Sequence, residues 1–196
     1  MQRNKFEELH KEKVCALDID GVLNYYPDSW VNFVNTKYGH NFEDLNQMKR
    51  ALTFKAYADY KHTFRKEGFE CNAHANQDAS FVTKRLRQMG YKIILLTSRP
   101  FQQYRSMFVE TVDWLKQNDI VYDGIIWERH KHVRVLEEIP HLRFMVEDNA
   151  YYANLVGKWG YLCFLVSNKY NVGQEKEGVI RINNLIDIFN YPELIA

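Results

Sequence analysis

The chain is short of cysteine, of net charge and of long apolar runs, and each shortage removes a class of protein. Its 196 residues hold three cysteines, Cys15, Cys71 and Cys163. They lie far apart, and an odd number cannot all pair. Cys15 and Cys163 fall inside apolar strand-like runs and read as buried thiols of a reducing compartment. The formal net charge is +1, so there is no global electrostatic argument for nucleic acid or an anionic membrane. No apolar run reaches transmembrane length. Met1 to Lys13 is charged and lacks an apolar h-region, so a secretory signal is not expected and the expected location is the cytoplasm. Low-complexity tracts and internal repeats are also missing. What remains reads as a globular chain of one domain, or one with a modest insertion, able to bury a substantial core without staples.

Aromatic residues are abundant, at 15% of the chain with 13 Tyr and 12 Phe. Short apolar runs recur at Val14–Leu17, Lys92–Thr97, Gly124–Trp127, Arg143–Val146, Tyr161–Val166 and Val179–Ile182. Helical patterns separate them over Asp78–Met89, Gln102–Asn118, Val133–Ile139 and Ala150–Lys158. Asp78 and Asn149 are candidate caps, and Gly90 is a candidate stop. Strands alternating with helices predict an α/β fold, a Rossmann-like parallel sheet with helices on both faces. One part breaks the rhythm. Asn24 to about Asn76 holds no buried strand and is rich in aromatic and charged residues. Trp30, Phe33, Val34 and Lys37 have helical spacing, as do Phe54, Tyr57, Ala58 and Lys61. This stretch reads as a small helical insertion after the first strand, placed as a lid over the carboxyl edge of the sheet. Its aromatics read first as a small core of their own, with a substrate-facing ring as the alternative.

The first strand closes on two aspartates one residue apart, Asp18-Ile19-Asp20, and Gly21 breaks it. A strand that stops there sits at the sheet edge where open α/β folds bind ligands. Alternation sends both carboxylates to one side, where they repel unless a cation or a shared proton relieves them. Two further strand ends are polar: Thr97-Ser98-Arg99-Pro100 and Glu147-Asp148-Asn149. Lys131 lies in a polar stretch between them, Glu128-Arg129-His130-Lys131-His132. In a parallel sheet these groups converge on one crevice.

That set suits phosphoryl transfer, which needs charge neutralisation and positioning. Mg²⁺ takes a few carboxylates together with waters and a substrate phosphate. Asp18 is the candidate nucleophile, and Asp20 the candidate acid and base. Thr97 and Lys131 are candidates to hold the phosphoryl oxygens and balance charge, and Asp148 to complete the metal shell. Glu147 is expected to orient Lys131 or a metal-bound water. Arg99 has two open roles, a phosphate contact or a carboxylate pair. His130, His132 and His141 lack a thiol partner or a firm fourth ligand, so zinc is not expected.

Asp18-Ile19-Asp20-Gly21-Val22-Leu23, Thr97 after a strand, a later lysine and the Glu147-Asp148 pair resemble the four motifs of the haloacid dehalogenase (HAD) superfamily, over about 130 residues of core. Leu95 to Pro100 and Val146 to Asn149 look like the 5'(3')-deoxyribonucleotidase group. Ser167-Asn168-Lys169-Tyr170-Asn171 is similar to a loop after the last core strand of that group. The resemblance implies a HAD-like core over 12–23 and 77–196 with a small helical cap over 24–76. It implies an Mg²⁺-dependent phosphatase with Asp18 as nucleophile and Asp20 as acid and base, Asp20 also giving its backbone carbonyl to the metal. Asp18, Asp20 and Asp148 are thus the expected metal residues, and Thr97, Ser98, Arg99 and Gly21 the expected substrate contacts. The chain departs from the pattern in carrying Glu147 where many members have Asp, and Arg129 and Arg134 rival Lys131 as the third-motif cation. The expected partner is a small phosphomonoester, a (deoxy)nucleoside monophosphate by resemblance, with no polymeric nucleic acid and no membrane; a homodimer stays open. The alternatives are a phosphatase of a sugar phosphate or other small metabolite, and a non-catalytic HAD-like binding protein.

Overall fold

The computed structural model describes residues 13–139 and 141–195. The expectation about the N-terminal leader therefore lies almost wholly outside the described residues. Six strands form one parallel sheet: β1 Lys13–Asp18, β2 Tyr91–Thr97, β3 Gly124–Trp127, β4 Leu142–Glu147, β5 Leu162–Val166 and β6 Val179–Ile182. Their order is β3-β2-β1-β4-β5-β6. The order reverses beside β1, between β2 and β4, which is where a doubly wound sheet opens a crevice. The strands are nearly continuous apolar runs because both faces are covered.

One face is packed by α4 (Ala79–Gln88), α5 (Met107–Gln117) and a closing 3₁₀ turn (Leu185–Asn190), around Leu17, Leu95, Phe144 and Phe164. The other is packed by α6 (Lys131–Glu138) and α7 (Ala150–Lys158), around Ala16, Leu96, Met145 and Leu165. Asn149 caps α7, its Oδ1 accepting from Tyr151 N at 3.0 Å. Asp78 precedes α4 without a capping bond from its side chain. The α5 helix is shorter than its periodicity suggests, because residues 101–106 form successive turns, Gln103 N to Pro100 O and Tyr104 N to Phe101 O among them. No described helix is long and apolar enough to cross a membrane. The three cysteines are free and buried.

Between β1 and α4 stand three helices, α1 Asp28–Tyr38, α2 Leu45–Ala51 and α3 Phe54–Lys66. They share a separate apolar cluster of Trp30, Val31, Phe33, Val34, Leu45, Met48 and Phe64. The chain enters and leaves this segment side by side: Asn76 N donates to Leu23 O at 2.8 Å and Tyr25 N to His74 O at 3.0 Å. The α2 helix is not evident from apolar spacing. Its signal is local: Asp44 Oδ1 accepts from Gln47 N at 2.7 Å, while Gln47 Oε1 accepts from Glu43 N at 2.6 Å, a near relative of the capping box.

Candidate active site

Asp18 ends β1 and is buried. β4 runs alongside and ends at Glu147, so Glu147 and Asp148 arrive next to it. Asp18, Glu147 and Asp148 each present an oxygen, all within 4.8 Å of one another. Lys131, the first residue of α6, points its ammonium between two of them: it pairs with Asp18 Oδ2 and donates to Glu147 Oε2 at 3.2 Å. Of the rival cations, Arg134 faces Glu128 and Glu138 at the surface, and Arg129 is exposed. Glu147 serves both neighbours, since its Oε1 accepts from Asn149 N at 3.1 Å.

The electrostatics follow from crowding. Burial, then repulsion from Glu147, pushes the Asp18 carboxyl well above its ordinary range, and Lys131 offsets this only in part. Burial, Glu147 and Asp18 do the same to Asp148. Burial lowers the proton affinity of Lys131, but Asp18 and Glu147 raise it by more and keep the ammonium charged. Three carboxylates against one ammonium leave an excess of negative charge that a hard divalent cation would relieve.

Asp20 lies apart from this trio. Its carboxylate is gripped by Arg99, Nε to Oδ2 at 2.9 Å and an Nη to Oδ1 at 2.7 Å, and Asn24 Nδ2 donates to Oδ1 at 2.8 Å. Burial disfavours its charge, yet Arg99 and Asn24 outweigh that and hold the carboxyl below the ordinary value. Alternation along a strand therefore does not describe the pair: β1 stops at Asp18, and Asp20 belongs to the turn that follows. Of the two roles open to Arg99, the structure shows the carboxylate pair. Its side chain is wholly enclosed and also donates to Thr111 Oγ1 and Glu70 O. Thr97 is buried at the end of β2, its Oγ1 accepting from Arg99 N, and Ser98 lies on the cavity wall. Gly21 sits at φ +88°, and a Cβ there would come within 2.1 Å of Asp148 Oδ2. Only glycine lets the turn press so closely on the carboxylate.

Apolar periodicity carries no trace of several supporting residues. Tyr170 donates its hydroxyl to Asp148 Oδ2. Asn171 Nδ2 donates to Asp148 O at 2.7 Å and to Val166 O at 2.8 Å. Their only sequence signal is the loop similarity around Ser167–Asn171. Within the insertion, Glu70 is buried between Lys61 and Arg65; nothing in the local sequence indicates that ion triad. Asp18, Lys131, Asp148, Ser98, Tyr26 and Tyr170 are among the residues around a cavity of about 370 Å³. Tyr26 is thus a ring of the insertion that faces the carboxylates.

No protein-family model matches the sequence, and no curated protein matches it. Solved structures do resemble it. A haloacid dehalogenase-like family hydrolase from Streptococcus pneumoniae is 13% identical, with a TM-score of 0.65 over 92% of this chain and 98% of that one. The D,D-heptose 1,7-bisphosphate phosphatase from B. bronchiseptica, solved with magnesium and phosphate, is 16% identical, with a TM-score of 0.60 over 94% and 99%. Its counterpart from Burkholderia thailandensis is 14% identical, with a TM-score of 0.53 over 91% and 99%. At these identities the likeness is one of architecture: the chain has the HAD-like α/β fold.

Proposed function

We propose that the protein is an Mg²⁺-dependent phosphomonoesterase that works through an aspartyl-phosphate on Asp18, with residues 24–76 as its cap and a (deoxy)nucleoside monophosphate as its substrate. The observation that carries this reading is the separation of two carboxylates two positions apart in the chain: Asp18 crowded with Glu147, Asp148 and Lys131, and Asp20 held away from them by Arg99. Asp18 and Asp148, with the backbone carbonyl of Asp20, would hold Mg²⁺, which when bound supplies positive charge to the phosphoryl oxygens. The neighbour solved with magnesium and phosphate supports that fit.

An Asp18 oxygen attacks phosphorus, the ester P–O bond breaks, and the leaving oxygen takes a proton from Asp20. Water then attacks the acyl phosphate, gives its proton to Asp20, and releases inorganic phosphate and free Asp18. Arg99 keeps Asp20 ionised at rest. A phosphoryl group arriving beside it adds negative charge and raises its proton affinity, which suits an acid in the first half and a base in the second. Thr97 and Ser98 would hold phosphoryl oxygens, and Lys131 keeps Asp18 oriented. Gly21 and Arg99, expected from resemblance as substrate contacts, are better assigned to shaping the turn and to positioning Asp20.

The test is phosphate release from a panel of esters with Mg²⁺, nucleoside monophosphates beside sugar phosphates. Asp18→Asn should lower turnover at least ~10³-fold while leaving the fold intact. Undiminished turnover in that variant would remove Asp18 as nucleophile, and preference for sugar phosphates would replace the nucleotide reading with the metabolite one.

A further inference from the structure

The phosphoryl cavity has a neighbour. A cleft of about 680 Å³ adjoins it, and Ser98, Asn149 and Tyr152 line both. A phosphoryl group held in the smaller cavity therefore leaves its ester substituent room to extend into the larger, whose volume is typical of small-molecule sites. The walls of the second cleft are chemically selective. Phe101 and Trp127 line it with ring centroids 5.0 Å apart, and both rings stay partly open to solvent. Gln102, Gln103 and Arg129 share the lining. Among the described residues the side chains of Gln102 and Gln103 make no hydrogen bond or ion pair within the chain, so amide donors and acceptors stand free there, and the Arg129 guanidinium adds positive charge beside Tyr152. The rings of the insertion are used differently. Trp30, Phe33 and Phe64 are buried against one another, Trp30 and Phe64 with centroids 5.0 Å apart and Phe33 and Phe64 5.2 Å apart.

We infer that this cleft receives the leaving group of the substrate, an alcohol that carries a planar hydrogen-bonding heteroaromatic ring, such as a nucleoside with its base. The ring rests on Phe101 and Trp127 and is read by Gln102, Gln103 and Arg129. Base–aromatic stacking tolerates different bases because every base has a π-face, and free amides match the edges of such rings. The inference rests on the phosphomonoesterase reading and places the recognition of its substrate on the β2 and β3 loops rather than in the aromatic core of the insertion.

The experiment compares KM and kcat for a nucleoside 5'-monophosphate and for methyl phosphate, which has no ring, using the full chain with Mg²⁺. Trp127→Ala, and separately the exposed pair Gln102→Ala/Gln103→Ala, should raise KM for the nucleotide roughly 10-fold relative to methyl phosphate. A second arm titrates the nucleotide into Asp18→Asn and follows tryptophan fluorescence; quenching should occur and should vanish in Asp18→Asn/Trp127→Phe. Equal KM for the two esters across all variants, with quenching that survives Trp127→Phe, would overturn the cleft while leaving the phosphatase in place. Absence of phosphate release from every ester would overturn the phosphatase reading, and the fluorescence arm would then still decide the cleft by itself.

Discussion

Two buried regions lie on either side of the Asp18–Asn24 turn, and burial acts on them in opposite ways. In the insertion, Trp30, Phe33 and Phe64 are enclosed, and each fully buried large side chain stabilises by about 1.5–3 kcal/mol with no condition attached. At the sheet edge, Asp18, Glu147, Asp148 and Lys131 are equally enclosed, and burial raises the proton affinity of Asp18 and Asp148. Removing water stabilises a ring but strains a charge, so the sheet edge is stable only through its partners. The contrast separates a region that burial stabilises outright from one whose burial depends on its charged partners.

The largest expected effects are Lys131→Ala at the sheet edge and Phe64→Ala in the insertion, similar in size and different in origin. Removing the Lys131 ammonium leaves buried carboxylates uncompensated and should cost about 3–5 kcal/mol. Phe64→Ala, in the insertion, should cost about 3–5 kcal/mol as well, through a cavity. Mg²⁺ separates the two: in thermal unfolding, added Mg²⁺ should recover part of the Lys131→Ala loss and none of the Phe64→Ala loss. Equal Mg²⁺ shifts in both variants would break the comparison. Gly21→Ala sharpens it on a smaller scale. A methyl group at φ +88°, against Asp148 Oδ2, should cost about 1–3 kcal/mol and weaken the Mg²⁺-dependent rise in Tm; an unchanged Mg²⁺ response would mean that Asp148 is not a ligand. The smallest effect lies at the surface. A hydrogen bond from Arg181 holds the Glu175 carboxyl down to about 2 from an ordinary 4.5. A depressed folded-state value contributes stability above the ordinary value and loses it as pH falls through that window. Tm of the native chain should therefore fall slightly more steeply between pH 4.5 and about 2 than that of Glu175→Gln. Parallel curves would show that solvent screening removes the contribution.

The sheet was readable because buried parallel strands are continuous apolar runs. Leu95, Phe144 and Phe164 mark themselves by composition. Asp18, Thr97, Lys131 and Asp148 were readable as candidates because each follows or precedes such a run, and strand ends in one parallel sheet must meet. Arg99 was legible only as a choice of two roles, since a guanidinium suits phosphate and carboxylate alike. The α2 helix escaped apolar spacing because Asp44 and Gln47 start it by hydrogen bonds rather than by an amphipathic face. The Tyr170–Asp148 contact joins positions 22 residues apart, and the Lys61–Glu70 pair follows no helical or strand spacing, so no local pattern encodes either pairing.

By itself the sequence determined the alternation of strands and helices, the place of the insertion and the acidic strand ends, because these depend on hydrophobic period and on which residues interrupt it. The tertiary structure alone decided which charges face one another. It set Glu147 among the carboxylates of Asp18 and Asp148, turned Arg99 onto Asp20, and left Phe101 and Trp127 partly open while Trp30, Phe33 and Phe64 of the insertion closed on one another. Coulomb and stacking interactions act over a few ångströms in space, whatever the separation along the chain.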